Sequence, residues 1–144
     1  MFNSVLIVCT GNICRSPIAE RLLRRTLPKK KIDSAGIKAL VGHSADPSAV
    51  LVAQSHNLAL DGHEATQFTA TLGQQYDLIL VMEKFHMEKI SHISPEARGK
   101  VMYLGHWLDK REIPDPYGKS QEAFEYIYQL IEKASQSWVE KLIE

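Results

Sequence analysis

Val5-Leu6-Ile7-Val8-Cys9-Thr10-Gly11-Asn12-Ile13-Cys14-Arg15-Ser16-Pro17 reads as a strand, a tight turn and the opening of a helix. Val5 to Val8 is a continuous apolar run rich in β-branched residues, the pattern of a strand buried on both faces of a parallel sheet. Ligands of such sheets bind beyond the carboxyl ends of the strands, so function is expected immediately after Val8. Ser16-Pro17 pairs a favoured N-cap residue with proline at the first helical position, and Ala19, Leu22 and Leu23 continue the helix. Its unsatisfied N–H groups then point back at the turn.

The turn has the make-up of an anion cradle. Gly11 adopts positive φ without penalty and Asn12 tolerates it better than most residues, so the backbone can curl its N–H groups inward. Arg15 adds a two-pronged cation. A helix N-terminus, converging amides and a guanidinium all favour the thiolate form of Cys9. Thr10, Gly11, Asn12, Ile13, Cys14 and Ser16 thus form a phosphate-binding loop that carries its own nucleophile, Cys9, and cation, Arg15. A competing reading makes Cys9 a small core residue at a strand end, but the surrounding order of strand, glycine turn, serine cap and proline favours a catalytic loop.

A sulfur nucleophile attacking phosphorus needs an acid to protonate the leaving oxygen, and the loop contains no carboxyl group. Asp115 is the candidate, because Pro114 and Pro116 restrict the backbone on both sides of it. On these residues alone an ordinary Pro-Asp turn fits equally well. Asp109, nearby, lacks the rigid setting.

Strand and helix patterns alternate along the remainder. A short strand is expected near Ile32 to Ser34, a helix opened by Asp46-Pro47 and carrying Val50, Leu51 and Ala53, and a buried strand from Asp77 to Met82. A polar helix from Glu83 to His92 and a strand from Lys100 to Leu104 follow. Phe124, Ile127, Ile131, Ala134 and Trp138 recur at three-and-four spacing, which predicts a long amphipathic C-terminal helix. The result is an α/β chain with a four-stranded parallel sheet flanked by helices. Its 144 residues fit one domain, 1–144, able to bury a proper core.

Seventeen basic residues balance seventeen acidic ones, so no global field favours nucleic acid. Lys29-Lys30-Lys31 reads as a solvated turn. The hydrophobic start reads as the first strand rather than a signal peptide, and no stretch is long enough to cross a bilayer. Two cysteines within one motif fit a reducing cytoplasm. The six histidines show no metal-ligand spacing, and no metal or other cofactor is expected.

Val8 to Glu20, V-C-T-G-N-I-C-R-S-P-I-A-E, resembles the signature loop of the low-molecular-weight protein tyrosine phosphatases. Asp33-Ser34-Ala35-Gly36, Gly62-His63, Tyr76 to Met82 and Ile113-Pro114-Asp115-Pro116-Tyr117 occur in that family's order and at about its distances. The resemblance implies a single three-layer domain of flavodoxin-like, phosphotyrosine phosphatase I type. It assigns Cys9 as nucleophile, Asp115 as general acid, Ser16 as hydrogen-bond donor to Cys9, and Ser34 and His63 as supports of a left-handed Asn12. Tyr117 and Leu40 become the walls of the slot for the substrate ring. Eukaryotic members commonly carry an aromatic residue at the Leu40 wall and a second one where this chain has Gly118. The resemblance also implies that Cys14 pairs with Cys9 under oxidation and protects it.

Ala39-Leu40-Val41-Gly42, Arg98 to Met102 and Gly105-His106-Trp107 resemble bacterial members associated with capsule or exopolysaccharide export. Those act on autophosphorylating membrane tyrosine kinases. The partner implied is a phosphotyrosine protein of that kind, met by a monomeric phosphatase that does not itself insert in the membrane. Two other activities compete, an arsenate reductase-like enzyme and a non-catalytic phosphoprotein-binding module. The first needs relay cysteines downstream, and no cysteine follows Cys14.

Overall fold

The sheet is built around β1 (Ser4–Cys9), whose six residues are all buried. In the computed structural model, which describes residues 2–143, β1 pairs in parallel with β2 (Lys31–Gly36) on one side and β3 (Leu78–Val81) on the other. A fourth parallel strand, β4 (Val101–Tyr103), completes the order β2-β1-β3-β4. The chain leaves β1 toward β2 and returns to its other flank as β3. A crevice therefore opens at the carboxyl end of β1, where the strand order reverses.

The side-chain period of two divides β1 between two cores. Val5, Ile7 and Cys9 pack with helices α1 (Arg15–Thr26), α2 (Pro47–Ser55) and α5 (Gln121–Leu142). Leu6 and Val8 pack on the opposite face with Phe68, Tyr76 and Ile90, the last from α4 (Lys84–Ile93). One helical turn, α3 (Ala70–Gly73), precedes β3, and a 3₁₀ turn, Pro95–Lys100, leads into β4. This is a three-layer single domain.

The five positions expected on the inner stripe of α5, Phe124, Ile127, Ile131, Ala134 and Trp138, are all buried. Asp46 caps α2 as its sequence implies, its Oδ1 accepting from Ser48 N at 2.8 Å. Two expectations need correction. Leu51 is exposed: α2 turns Ala49, Val52 and Ala53 inward and Val50 only partly, so the stripe lies one position away from Leu51. Helix α1 also begins earlier than Ser16-Pro17 indicates, with Cys14 at the N-cap. Pro17 then occupies the third helical position, whose N–H has no intrahelical partner in any helix, so its ring costs no bond there. No helix among the described residues is long and apolar enough to cross a membrane.

Candidate active site

Residues 9 to 13 turn their carbonyls away from the crevice, and each of the five finds a donor in another segment. Cys9 O accepts from Ile37 N at 3.0 Å, Thr10 O from Lys38 N at 2.9 Å, Gly11 O from Leu40 N at 3.1 Å and Ile13 O from Asp46 N at 2.9 Å. Asn12 O accepts from His63 Nε2 at 2.6 Å. With the carbonyls tied outward the amides face inward. Those of Gly11, Asn12, Ile13 and Cys14 have no backbone acceptor among the described residues. This is an anion nest that continues into the N-terminus of α1.

Asn12 holds the curl at φ 60°. Its Oδ1 accepts from Thr66 N at 2.8 Å, while Nδ2 donates to Ser34 Oγ at 3.0 Å and to Ser16 Oγ at 2.8 Å. Ser34 Oγ in turn donates to the buried Glu20 carboxylate, at 2.8 Å. Ser16 Oγ, already accepting from Asn12, lies 2.9 Å from Cys9 Sγ, so its hydroxyl proton is free to point at the sulfur. Ser16 is therefore not the helix cap that its sequence position suggests; its hydroxyl serves the cysteine. The loop also needs Gly36 at the end of β2, where a Cβ would stand 2.4 Å from Thr10 O and 3.0 Å from Asn12 N.

Arg15 is buried, and its guanidinium is held from several directions. Nη1 pairs with Glu83 Oε2 and donates to Ile113 O at 2.8 Å. Nη2 reaches Thr10 Oγ1 at 3.4 Å and lies 3.7 Å from Asp115 Oδ2. Asp115 Oδ1 accepts from Tyr117 N at 3.0 Å, a local turn that adds to the proline constraint. Glu83 N in turn donates to Nδ1 of His86, whose Nε2 is 2.9 Å from Thr10 Oγ1. Burial, reinforced by the Arg15 charge, lowers the His86 pKa to about 3, so the ring stays neutral.

A cleft of about 250 Å³ opens over the loop, lined by Cys9, Thr10, Gly11, Ile13, Cys14, Arg15, Lys38, Leu40, Asp115 and Tyr117. Cys9 is 2% exposed at its floor, whereas Leu40 at 41% and Tyr117 at 58% stand at the rim. Cys9 and Cys14 are both free thiols. Burial, and then the nearby Asp46 charge, push the Cys14 thiol well above the ordinary thiol range, so it stays protonated.

The structure brings together every residue singled out in the sequence: the loop and Asp115 with Leu40 and Tyr117 around one cleft, Ser34 and His63 behind Asn12. Sequence reasoning missed Glu20, Lys38, Thr66, Glu83 and His86. Glu83 and His86, three apart at the opening of a polar helix immediately after a buried strand, were the one legible hint. They form a reciprocal capping pair at the N-terminal end of α4, which fixes both side chains beside the loop.

A cysteine at the floor of an amide nest, with an arginine beside it and an aspartate across from it, is the arrangement of a cysteine-dependent phosphatase. A family model for low molecular weight phosphotyrosine protein phosphatases matches residues 4–144, and the chain belongs to that family of protein-tyrosine phosphatases. Among similar proteins is the Escherichia coli K12 low molecular weight protein-tyrosine-phosphatase Etp, 55% identical over 141 residues, with 98% of this chain and 95% of that protein covered. The tyrosine phosphatase Wzb of Escherichia coli K30, solved with sulphate, is 64% identical, with a TM-score of 0.97 and 99% of both chains covered. Vibrio vulnificus Wzb, solved with benzylphosphonate, is 51% identical, with a TM-score of 0.96 over 99% of this chain and 100% of that one.

Proposed function

We propose that this phosphatase hydrolyses phosphotyrosine in two steps through a phosphocysteine intermediate. Cys9, as thiolate, attacks phosphorus in line with the departing phenolate, and Asp115 protonates the leaving oxygen. Asp115, now ionised, activates a water that releases phosphate from the sulfur. Arg15 and the inward amides of Gly11, Asn12, Ile13 and Cys14 hold the equatorial oxygens, where preorganised charge stabilisation contributes most. Ser16 stabilises the sulfur as a leaving group. Ser34 and His63 are scaffold for Asn12, and the ring lies between Leu40 and Tyr117. Cys14 pairs with Cys9 under oxidation. No metal is assigned a role.

The observation that carries this reading is the position of Asp115 Oδ2, 3.7 Å from Arg15 Nη2 and on the same cleft as Cys9. Acid, cation and nucleophile thus face one small volume. The substrate class follows from the rim, since two exposed side chains stand above a buried sulfur. The resemblance to bacterial capsule and exopolysaccharide members further indicates the flexible phosphotyrosine tail of a membrane autokinase as substrate, met by a cytoplasmic monomer. Two sulfhydryls within one loop leave no third cysteine to pass a disulfide outward, so arsenate reduction is not favoured.

Release of p-nitrophenol from p-nitrophenyl phosphate by wild type, Cys9→Ser and Asp115→Asn tests the scheme, with phosphotyrosine and phosphoserine peptides alongside. Wild type is expected to act on the aryl esters only. Cys9→Ser should lose essentially all turnover while still binding phosphate. Asp115→Asn should slow p-nitrophenyl phosphate less than phosphotyrosine, whose leaving group is the poorer, the latter by roughly 10²-fold or more. Wild-type turnover in Cys9→Ser removes the mechanism, and a kinase segment left phosphorylated removes the partner.

A further inference from the structure

Four side chains at the loop close a ring of hydrogen bonds whose direction can be assigned throughout. Arg15 Nη1 donates to Glu83 Oε2, and Glu83 N donates to His86 Nδ1 at 3.1 Å. A ring nitrogen that accepts carries no proton, so the proton of this neutral imidazole is on Nε2. Nε2 therefore donates to Thr10 Oγ1, 2.9 Å away. Arg15 Nη2 donates to the same oxygen at 3.4 Å and closes the ring. Both acceptor positions of the Thr10 hydroxyl are then filled, and its own proton must be donated elsewhere. Thr10 lines the cleft above Cys9, and Arg15, the cation proposed to hold the phosphoryl group, is one of its two donors.

The geometry points to the Thr10 hydroxyl as a catalytic residue: a side-chain donor to the phosphoryl oxygens, additional to the loop amides, whose direction His86 sets by occupying the oxygen from behind. His86 is a positioning residue in this arrangement. It is fully buried at 0% exposure, and the depression of its pKa keeps it from becoming a second cation beside Arg15. This inference rests on the phosphatase reading above.

Two measurements test it. In 15N spectra of the histidine rings, His86 is expected as the Nε2-protonated tautomer between about pH 5 and pH 8, where its lowered pKa leaves it neutral. A ring protonated on Nδ1 alone overturns the assignment, because Nε2 would then accept from Thr10, and a charged ring overturns it because Nδ1 could no longer accept from Glu83 N. In kinetics, Thr10→Val, which keeps the shape and removes the hydroxyl, should weaken inhibition by inorganic phosphate and lower kcat/KM for p-nitrophenyl phosphate, each roughly tenfold or more. Thr10→Ser should restore most of both. Wild-type phosphate affinity in Thr10→Val, or a serine variant no better than valine, overturns the inference. If wild type neither turns over the ester nor is inhibited by phosphate, the phosphatase reading itself fails and takes this inference with it.

Discussion

Gly36 lies outside the loop that carries the chemistry, yet the loop's shape depends on it. A methyl group there meets the Thr10 carbonyl at 2.4 Å and the Asn12 amide at 3.0 Å, both backbone atoms that cannot swing aside. Gly36→Ala should therefore push residues 10–12 out of register, with a stability loss of about 1–3 kcal/mol in urea denaturation and a larger proportional loss of phosphate affinity. Cys14 is the other residue with consequences beyond its volume. Its thiol is buried, protonated and one loop away from Cys9. After a peroxide pulse, wild type should recover activity with thiol reductant while Cys14→Ser recovers distinctly less, since a sulfenic acid without a partner oxidises further. Equal recovery in the two proteins would remove the protective role.

Helix α4 carries its functional residues at its start. Glu83 supports Arg15 and His86 supports Thr10, while further along the helix Met87, Ile90 and Ile93 pack against the sheet. A histidine that stays neutral down to about pH 3, against an ordinary value of 6.5, makes the fold sensitive to acid. Between those values the unfolded chain binds the proton and the folded chain does not. Stability therefore rises with pH across the window and falls as pH drops below about 6.5, by on the order of 3–5 kcal/mol in all. Urea midpoints measured from about pH 4 to pH 7 should show a shallower slope in His86→Gln than in wild type, whatever the offset between the two. An identical slope would show that His86 is protonated alike in both states. The sequence displayed α4 as a polar helix but not its purpose. Its contacts to Arg15 and Thr10 cross 68 and 76 residues, and a glutamate and a histidine at a helix start look solvated until the sheet places them. Helix α1 misled in the opposite way. Ser16-Pro17 has the statistics of a cap, but the curl of the loop recruits the Ser16 hydroxyl to Cys9 and leaves the cap position to Cys14.

At the scale of the molecule, the buried strand, the alternation of elements and the apolar stripe of α5 were legible because each is a local pattern with one period. The loop was legible because its residues are contiguous. What stayed hidden were the partners that hold it, Glu20 from within α1, Thr66 from a connecting segment and Lys38 just past β2, since nothing local marks them as neighbours. Leu51 shows the limit of the periodic argument in a nine-residue helix, where a shift of one position moves a leucine from core to solvent. The same dispersal has a biological consequence. The centre is stitched from residues 9–16, 34–38, 63–66, 83–86 and 113–117, and the last of these carries Asp115, the acid of the mechanism proposed above. A nascent or clipped chain that ends before Asp115 has a nucleophile without a proton source, and a chain that loses the 63–66 segment has no hold on Asn12. On the mechanism proposed above, full turnover therefore reports on completed folding, and truncated product would add little phosphatase activity toward phosphotyrosine.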